Sequence, residues 1–361
     1  MICIESYQNI FIHNLIFNQM KKIFLIGLAA TAMLASCSND ETVEMAQNTK
    51  AIGFSNAFVN NGTRSIVDPS FKTTSLEDFA VYGFTQNGQI FDGTKVSAPG
   101  WTYSPLQYWV AGNTYTFGAV APAAQSANVS KVALADGKVG MEVTFTNDGA
   151  TDLLHAAPKA INCDDAFLAQ PNIPKVSMTF FHQLSKVKFS FENAVGEGYN
   201  VKVSNVKITD AYTSGTLTVA AAGNTWSNQE NNALELDFGN VTADDATADE
   251  AAFIANAATL ESYNEKLMIP MASTATYTVT FTAELYHGDV LLGSYDHNVK
   301  IENVEFKLGY CYDFKATLTH ENIVDPENPL KPIEFTVDGI TDWNKDNLDQ
   351  TLEVPTTQSG N

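Results

Sequence analysis

The chain has 361 residues, is 45% hydrophobic and only 17% charged, and carries a formal net charge of −21. A chain this long and this apolar can bury real cores, and two domains are the expectation from length. The negative surface repels phosphate backbones, which excludes nucleic acid as a partner, and it repels anionic lipid, so any membrane link has to be covalent or a true span.

In chain order, the first informative segment is MKKIFLIGLAATAMLASC, residues 20 to 37. Lys21 and Lys22 precede an apolar run from Ile23 to Leu34, then small residues and a cysteine. That is secretory signal architecture, and the apolar run is shorter than the roughly 20 residues of a spanning helix. Leu34, Ala35, Ser36 and Cys37 look like a bacterial lipobox. The resemblance implies cleavage before Cys37, acylation (palmitate among the chains) of that residue, and a signal peptide over 1–36; residues 1 to 19 carry no lysine or arginine, so Met20 reads as the true start. Ser38, Asn39, Asp40 and Glu41 resemble the surface-export signal of Bacteroides-group lipoproteins, and 37–50 reads as a lipidated tether.

From residue 51 the dominant period is two. AIGFSNAFV (51–59) is a candidate first strand with Ile52, Phe54 and Phe58 on or near one face. NNGTRSIVDPS (60–70) follows, a polar turn-rich stretch holding Arg64, the only arginine in the chain. WTYSPLQYWVAGNTYTF gathers Trp101, Tyr103, Tyr108 and Trp109; these read as core and corner packing, with sugar stacking as the alternative. YTFGAVAP (115–122), Val176-Met178-Phe180 and Val187-Phe189-Phe191 read as strands, the last ending an N-terminal domain, 51–195. A C-terminal domain, 196–361, follows. Ala-rich DATADEAAFIANAATLESY (245–263) is the best helical pattern, with acidic residues early. Tyr277, Val279, Phe281 and Ala283 share one strand face, with VEFKLGYCYDFKATL expected as partner after the turn residues of HGDVLLGS. IEFTVDGI (333–340) alternates Ile333, Phe335 and Val337, and the polar tail that follows is briefly strand-like at 352–354.

Chemistry is sparse. There is no HExxH, GxSxG, P-loop or paired CxxC, so neither an enzyme nor a metal or cofactor is expected. His155, His182, His287, His297 and His320 lack ligand spacing, and His182 reads as a packed, hydrogen-bonded histidine. Acidic TADDATADE (242–250) lacks the glycine and spacing of an EF-hand and reads as a solvated loop. Cys163 and Cys311 read as two separate buried thiols.

Several of these stretches together resemble the Bacteroides-type fimbrillins, subunits of type V pili. They are the lipobox, YSPLQYW with YTFGAVAP, DLLHA at 152–156, VSMTFFHQLSKVKFSFEN, GTLT followed by Trp226, and IEFTVDGITDW, spanning residues 20 to about 343. The resemblance implies an all-β chain of two tandem transthyretin-like antiparallel β-sandwiches. It implies a lipid-anchored precursor at the outer membrane and a stalk or tip role among other fimbrial subunits. Adhesion to host or bacterial surfaces and biofilm formation follow. It also implies a trypsin-like Arg-specific protease that cuts between Arg64 and Ser65, releasing the first strand (Ile52, Phe54, Phe58). A neighbour's strand then fills the groove, with candidate donors in the C-terminal segment, including Ile333, Phe335 and Val337 of IEFTVDGI and LEV at 352–354.

Overall fold

A computed structural model of the chain describes residues 50–59, 76–230, 233–243, 250–270, 275–324, 326 and 331–342. Contacts divide the chain into a small unit, Met1–Ala51 with Pro171–Ile173, and a body, Ile52–Gln170 with Pro174–Asn361. Of the small unit only 50–51 and 171–173 are described, a turn and bridge and a short irregular stretch.

Alternating apolar residues build the body almost entirely from strands. In order come β1 (Phe54–Val59), β2 (Asp78–Thr85), β3 (Gly88–Ser97), β4 (Asn113–Ala121), β5 (Val129–Ala135), β6 (Lys138–Thr146), β7 (Leu154–Ala156), β8 (Ile161–Cys163) and β9 (Val176–His182). Then follow β10 (Ser185–Asn193), β11 (Tyr199–Ala211), β12 (Ser214–Ala220), β13 (Gly223–Glu230), β14 (Leu234–Gly239), β15 (Val241–Thr242) and β16 (Thr259–Ser262). The last are β17 (Lys266–Met268), β18 (Ala275–His287), β19 (Val290–Val304), β20 (Tyr310–Leu318) and β21 (Phe335–Asp342).

The first sandwich pairs a seven-stranded sheet, β1-β9-β7-β4-β2-β3 with β8 on β4, with the four-stranded β13-β12-β6-β5. Between them lie Ala80, Tyr82, Val120, Met141, Phe145, Leu217 and Trp226. The large sheet is buried on its other face too, where Phe79, Phe91, Tyr115 and Phe117 gather. This explains why β4 is buried continuously from Tyr115 to Ala121: covering both faces removes the need for polar residues at every second position.

The second sandwich places β15-β16-β10-β20-β21, with β17 on β10, against β14-β11-β18-β19. Val187, Phe189 and Phe191 of β10 meet Val203, Ile208, Val279, Phe281 and Phe314 in its core.

Four expectations meet corrections or refinements here. The sheets do not divide at 195/196: β10 lies in the second sandwich, and hairpin β12–β13 returns to the first, its Leu217 opposite Val143 of β6. The pairing is mostly antiparallel, yet β1 runs parallel to β9, and β10 runs parallel to β20. The helix expected over 245–263 is not formed where the chain is described; Thr259–Glu261 pairs with Ser190–Glu192 as a strand. Tertiary pairing on both sides, with β10 and β15, outweighs the helix preference of the alanines before it. The partner of β18 is β19, whereas β20 lies in the opposite sheet, because the two-residue turn at Gly288–Asp289 pairs the segments next to it.

Candidate functional site

The residues that single out a site are those of β1. This strand sits at the edge of the seven-stranded sheet and has one hydrogen-bonded neighbour, β9, with Phe54 opposite Val176 and Val59 opposite Phe180. A parallel edge strand is held by one slanted ladder, and losing it uncovers a row of unpaired N–H and C=O groups.

Side chains at the strand's entry do the rest. Phe54 is 1% exposed and sits within 5.6–5.9 Å, centroid to centroid, of Phe79, Phe91, Tyr103 and Phe117. Burying a Phe this fully contributes about 3–5 kcal/mol by the usual truncation measure. Ile52, also 1% exposed, is clasped by the 98–112 loop: its N–H donates to Gln107 O at 2.8 Å, and Tyr103 Oη–H donates to its carbonyl at 2.7 Å. Tyr103 Oη also accepts from Gln107 N–H at 3.2 Å, and burial raises the phenol's pKa, so the hydroxyl keeps its proton as a donor. On the outward side, Val176 N–H donates to Gly53 O at 2.7 Å. An ordered, edge-bound strand with an apolar anchor and a small polar clasp is therefore built around Ile52 and Phe54. Phe58 lies opposite Thr179 in the ladder after a bulge.

Of the expected donor residues, Phe335 and Val337 lie in β21 and Ile333 just before it; among the described residues β21 is another edge strand, paired with β20 and antiparallel to it. Ile333 is 7% exposed, while Phe335 and Val337 are half-buried. Phe335 contacts the rings of Phe189, Phe191 and Phe281 at 5.2, 5.7 and 6.1 Å. A cleft of about 310 Å³ opens where the chain enters β21, between Ile333 and Glu334 and the β19 residues His297 and Val299. His297 stacks on Phe281, and burial brings its pKa down to about 4, leaving a neutral ring.

Leu34, Ala35, Ser36, Cys37, Ser38, Asn39, Asp40 and Glu41 lie outside the described residues, as do Arg64, Ser65 and 352–354. The aromatic cluster is mostly packed. Trp101 lies against Phe79, Trp109 is buried between Tyr115 and Phe167, and Tyr103 belongs to the clasp; Tyr108 is exposed. The clasp of Tyr103 and Gln107 was not legible as such. The signal that points to it is the absence of any charged residue between Lys95 and Lys131, which marks a loop packed rather than solvated.

Other polar groups are structural in their surroundings. His182 Nδ1 is 2.5 Å from Asp152 Oδ2, both buried. Asn224 joins His155 and Gln183, and Trp226 Nε1–H donates to Gln183 O at 2.7 Å. Cys163 is a buried thiol and Cys311 a half-buried one whose pKa burial pushes up to about 12. Among the described residues no group of three His, Cys, Asp or Glu could hold a metal ion.

A family model described as fimbrillin-like matches residues 63–343. No curated protein matches the chain. Among solved structures, a fimbrial protein from Bacteroides vulgatus is 15% identical, with a TM-score of 0.55 over 81% of this chain and 99% of that one. A fimbrial assembly protein from Parabacteroides distasonis is 12% identical, with a TM-score of 0.40 over 78% of this chain and 96% of that one. At such identity the first likeness is one of fold.

Proposed function

The chain belongs to the fimbrillin-like family, and from that premise we propose that it is a structural subunit, stalk or tip, of a surface fimbria. It is exported as a lipoprotein, anchored in the outer membrane through Cys37, and matured by an Arg-specific trypsin-like protease at Arg64–Ser65. Loss of the lipidated first strand opens a groove that a strand of a neighbouring subunit fills. The polymer serves adhesion and biofilm formation.

The observation that carries this reading is the placement of β1. It is an edge strand, so it can leave without breaking a ladder on both sides, and Phe54 leaves an aromatic pocket behind it. An extended segment from outside satisfies both the vacated β9 edge and the pocket. The lone arginine gives the protease one target, after β1 and before β2.

The test is an Arg-specific digest of the full chain, wild type and Arg64→Ala, followed on gels with lipid labelling. Wild type is clipped once and forms oligomer ladders. Arg64→Ala stays a lipid-anchored, full-length monomer. Normal assembly of that variant refutes the strand-exchange reading.

A further inference from the structure

Two edge strands of this chain begin alike. β1 is entered through Ile52-Gly53-Phe54-Ser55, and β21 through Ile333-Glu334-Phe335-Thr336. In both, the Ile is buried and the Phe sits among other aromatic rings. The residue between them faces outward: Gly53 is half-buried and Glu334 is exposed. Past the hydroxyl residue the sequences diverge, and β1 bulges between Ser55 and Phe58. The shared part is thus the part that fills the Phe54 pocket.

Of the two differences within it, Ser for Thr keeps the hydroxyl and Gly for Glu is the informative one. A Cβ at Gly53 would lie 3.1 Å from Cγ of Lys175, whose side chain runs past it with Cε at 3.6 Å. Lys175 is exposed and makes no ion pair among the described residues. The three atoms nearest such a Cβ all belong to this flexible side chain, which can give way. A glutamate there brings a carboxylate beside the ammonium.

We infer that Ile333–Thr336 of a second copy enters the vacated slot in the register of Ile52–Ser55, and that Glu334 of one copy pairs with Lys175 of the next to fix that register. This rests on the strand-exchange reading above. The pair has a definite task. A slip by one residue turns Ile and Phe to the wrong face and is excluded by burial alone. A slip by two keeps the facing but moves Glu334 about 7 Å along the strand, away from Lys175. The apolar pattern therefore tolerates even slips, and the charge pair discriminates among them. Burial also favours the transfer: Phe335 is half-buried at home, whereas the residue at the Phe54 position is 1% exposed. Leaving home uncovers Phe189 and Phe191, so exchange proceeds only once cleavage has emptied the slot.

The experiment mixes full-length Lys175→Cys and Glu334→Cys proteins, digests them with an Arg-specific protease, and oxidises them. A disulfide joining the two chains, identified by peptide mass, is expected after cleavage and absent before it. Ladders without that cross-link overturn this register while leaving strand exchange standing. A link formed equally in uncut protein overturns the role of the slot. A Lys175→Cys/Glu334→Cys chain that links to itself as a monomer overturns the second copy as occupant. Wild type that never ladders overturns strand exchange and this inference together. As a second arm, Lys175→Glu slows assembly roughly two- to five-fold, the span of an exposed ion pair, and Lys175→Glu/Glu334→Lys restores it. Both sites are exposed, so folding is not at issue.

Discussion

At the scale of single residues, the buried polar groups of the first sandwich set how the protein answers to acid. His155 is 6% exposed, and burial first, then the nearby Lys138 charge, lowers its pKa from 6.5 to about 4. In the unfolded chain it binds a proton below about 6.5; in the folded chain it resists until about pH 4. The unfolded state therefore holds more protons in this window, and stability falls as pH falls. The stabilisation is complete above pH 6.5 and is lost down to about pH 4, amounting to about 3 kcal/mol on the usual conversion. Replacing His155 with Gln removes the titration while leaving an amide beside Asn224. Urea midpoints at pH 7 and pH 4.5 are expected to move less in the variant than in wild type. Equal acid loss in both would mean that His155 does not titrate as its burial requires. Asp152 and His182, equally buried, hold the end of β9 against the segment leading into β7, which is how DLLHA and FHQLS come to be adjacent.

At the scale of strands, β1 combines a deep anchor with a shallow attachment, and the two are separable. Phe54→Ala removes the ring from its four aromatic neighbours at a cost of about 3–5 kcal/mol. Because β1 lies at an edge, that loss releases the strand before it unfolds the sandwich. The expected result is faster hydrogen exchange at Val176 N–H, whose partner is Gly53 O, with little change deep in β4. Persistent protection at Val176 would mean that the Tyr103–Gln107 clasp suffices alone. This strand was legible from its alternation at Ile52 and Phe54 and from its place before the lone arginine. So were β9, β10, β18 and β21, each with one apolar face. The parallel pairing of β1 was not legible, because alternation says which face is buried and nothing about strand direction. β16 was hidden by alanines that favour a helix in isolation; only β10 and β15 on either side make it a strand. The clasp was hidden because Tyr103 and Gln107 act through a loop, where no period exists to read.

At the scale of the whole molecule, the chain crosses between sandwiches several times, and this binds their folding together. β9 ends in the first sandwich at His182, and β10 starts in the second at Ser185, leaving Leu184 in the first core. β12 and β13 go back to supply half of the four-stranded sheet, with Leu217, Val219 and Trp226 inserted in the first core. β17 pairs with β10, and there Leu267 faces the first core while Met268 faces the second. Local sequence encodes each strand but not these non-local returns, so a boundary drawn where one strand ends and a Gly-rich turn begins cannot follow them. The consequence is testable. A fragment of residues 51–195 lacks β12, β13 and β17, and it carries Val187, Phe189 and Phe191 with no second sandwich to bury them. It is expected to bind hydrophobic dye and to show no cooperative unfolding. The whole body should unfold in a single calorimetric transition whose van't Hoff and calorimetric enthalpies agree. Cooperative melting of the 51–195 fragment, or two separated transitions in the intact chain, would show that the sandwiches are independent despite the crossings. Coupling of this kind fits the proposed release of β1: that strand is at an edge, while the crossings that hold the two cores together lie elsewhere.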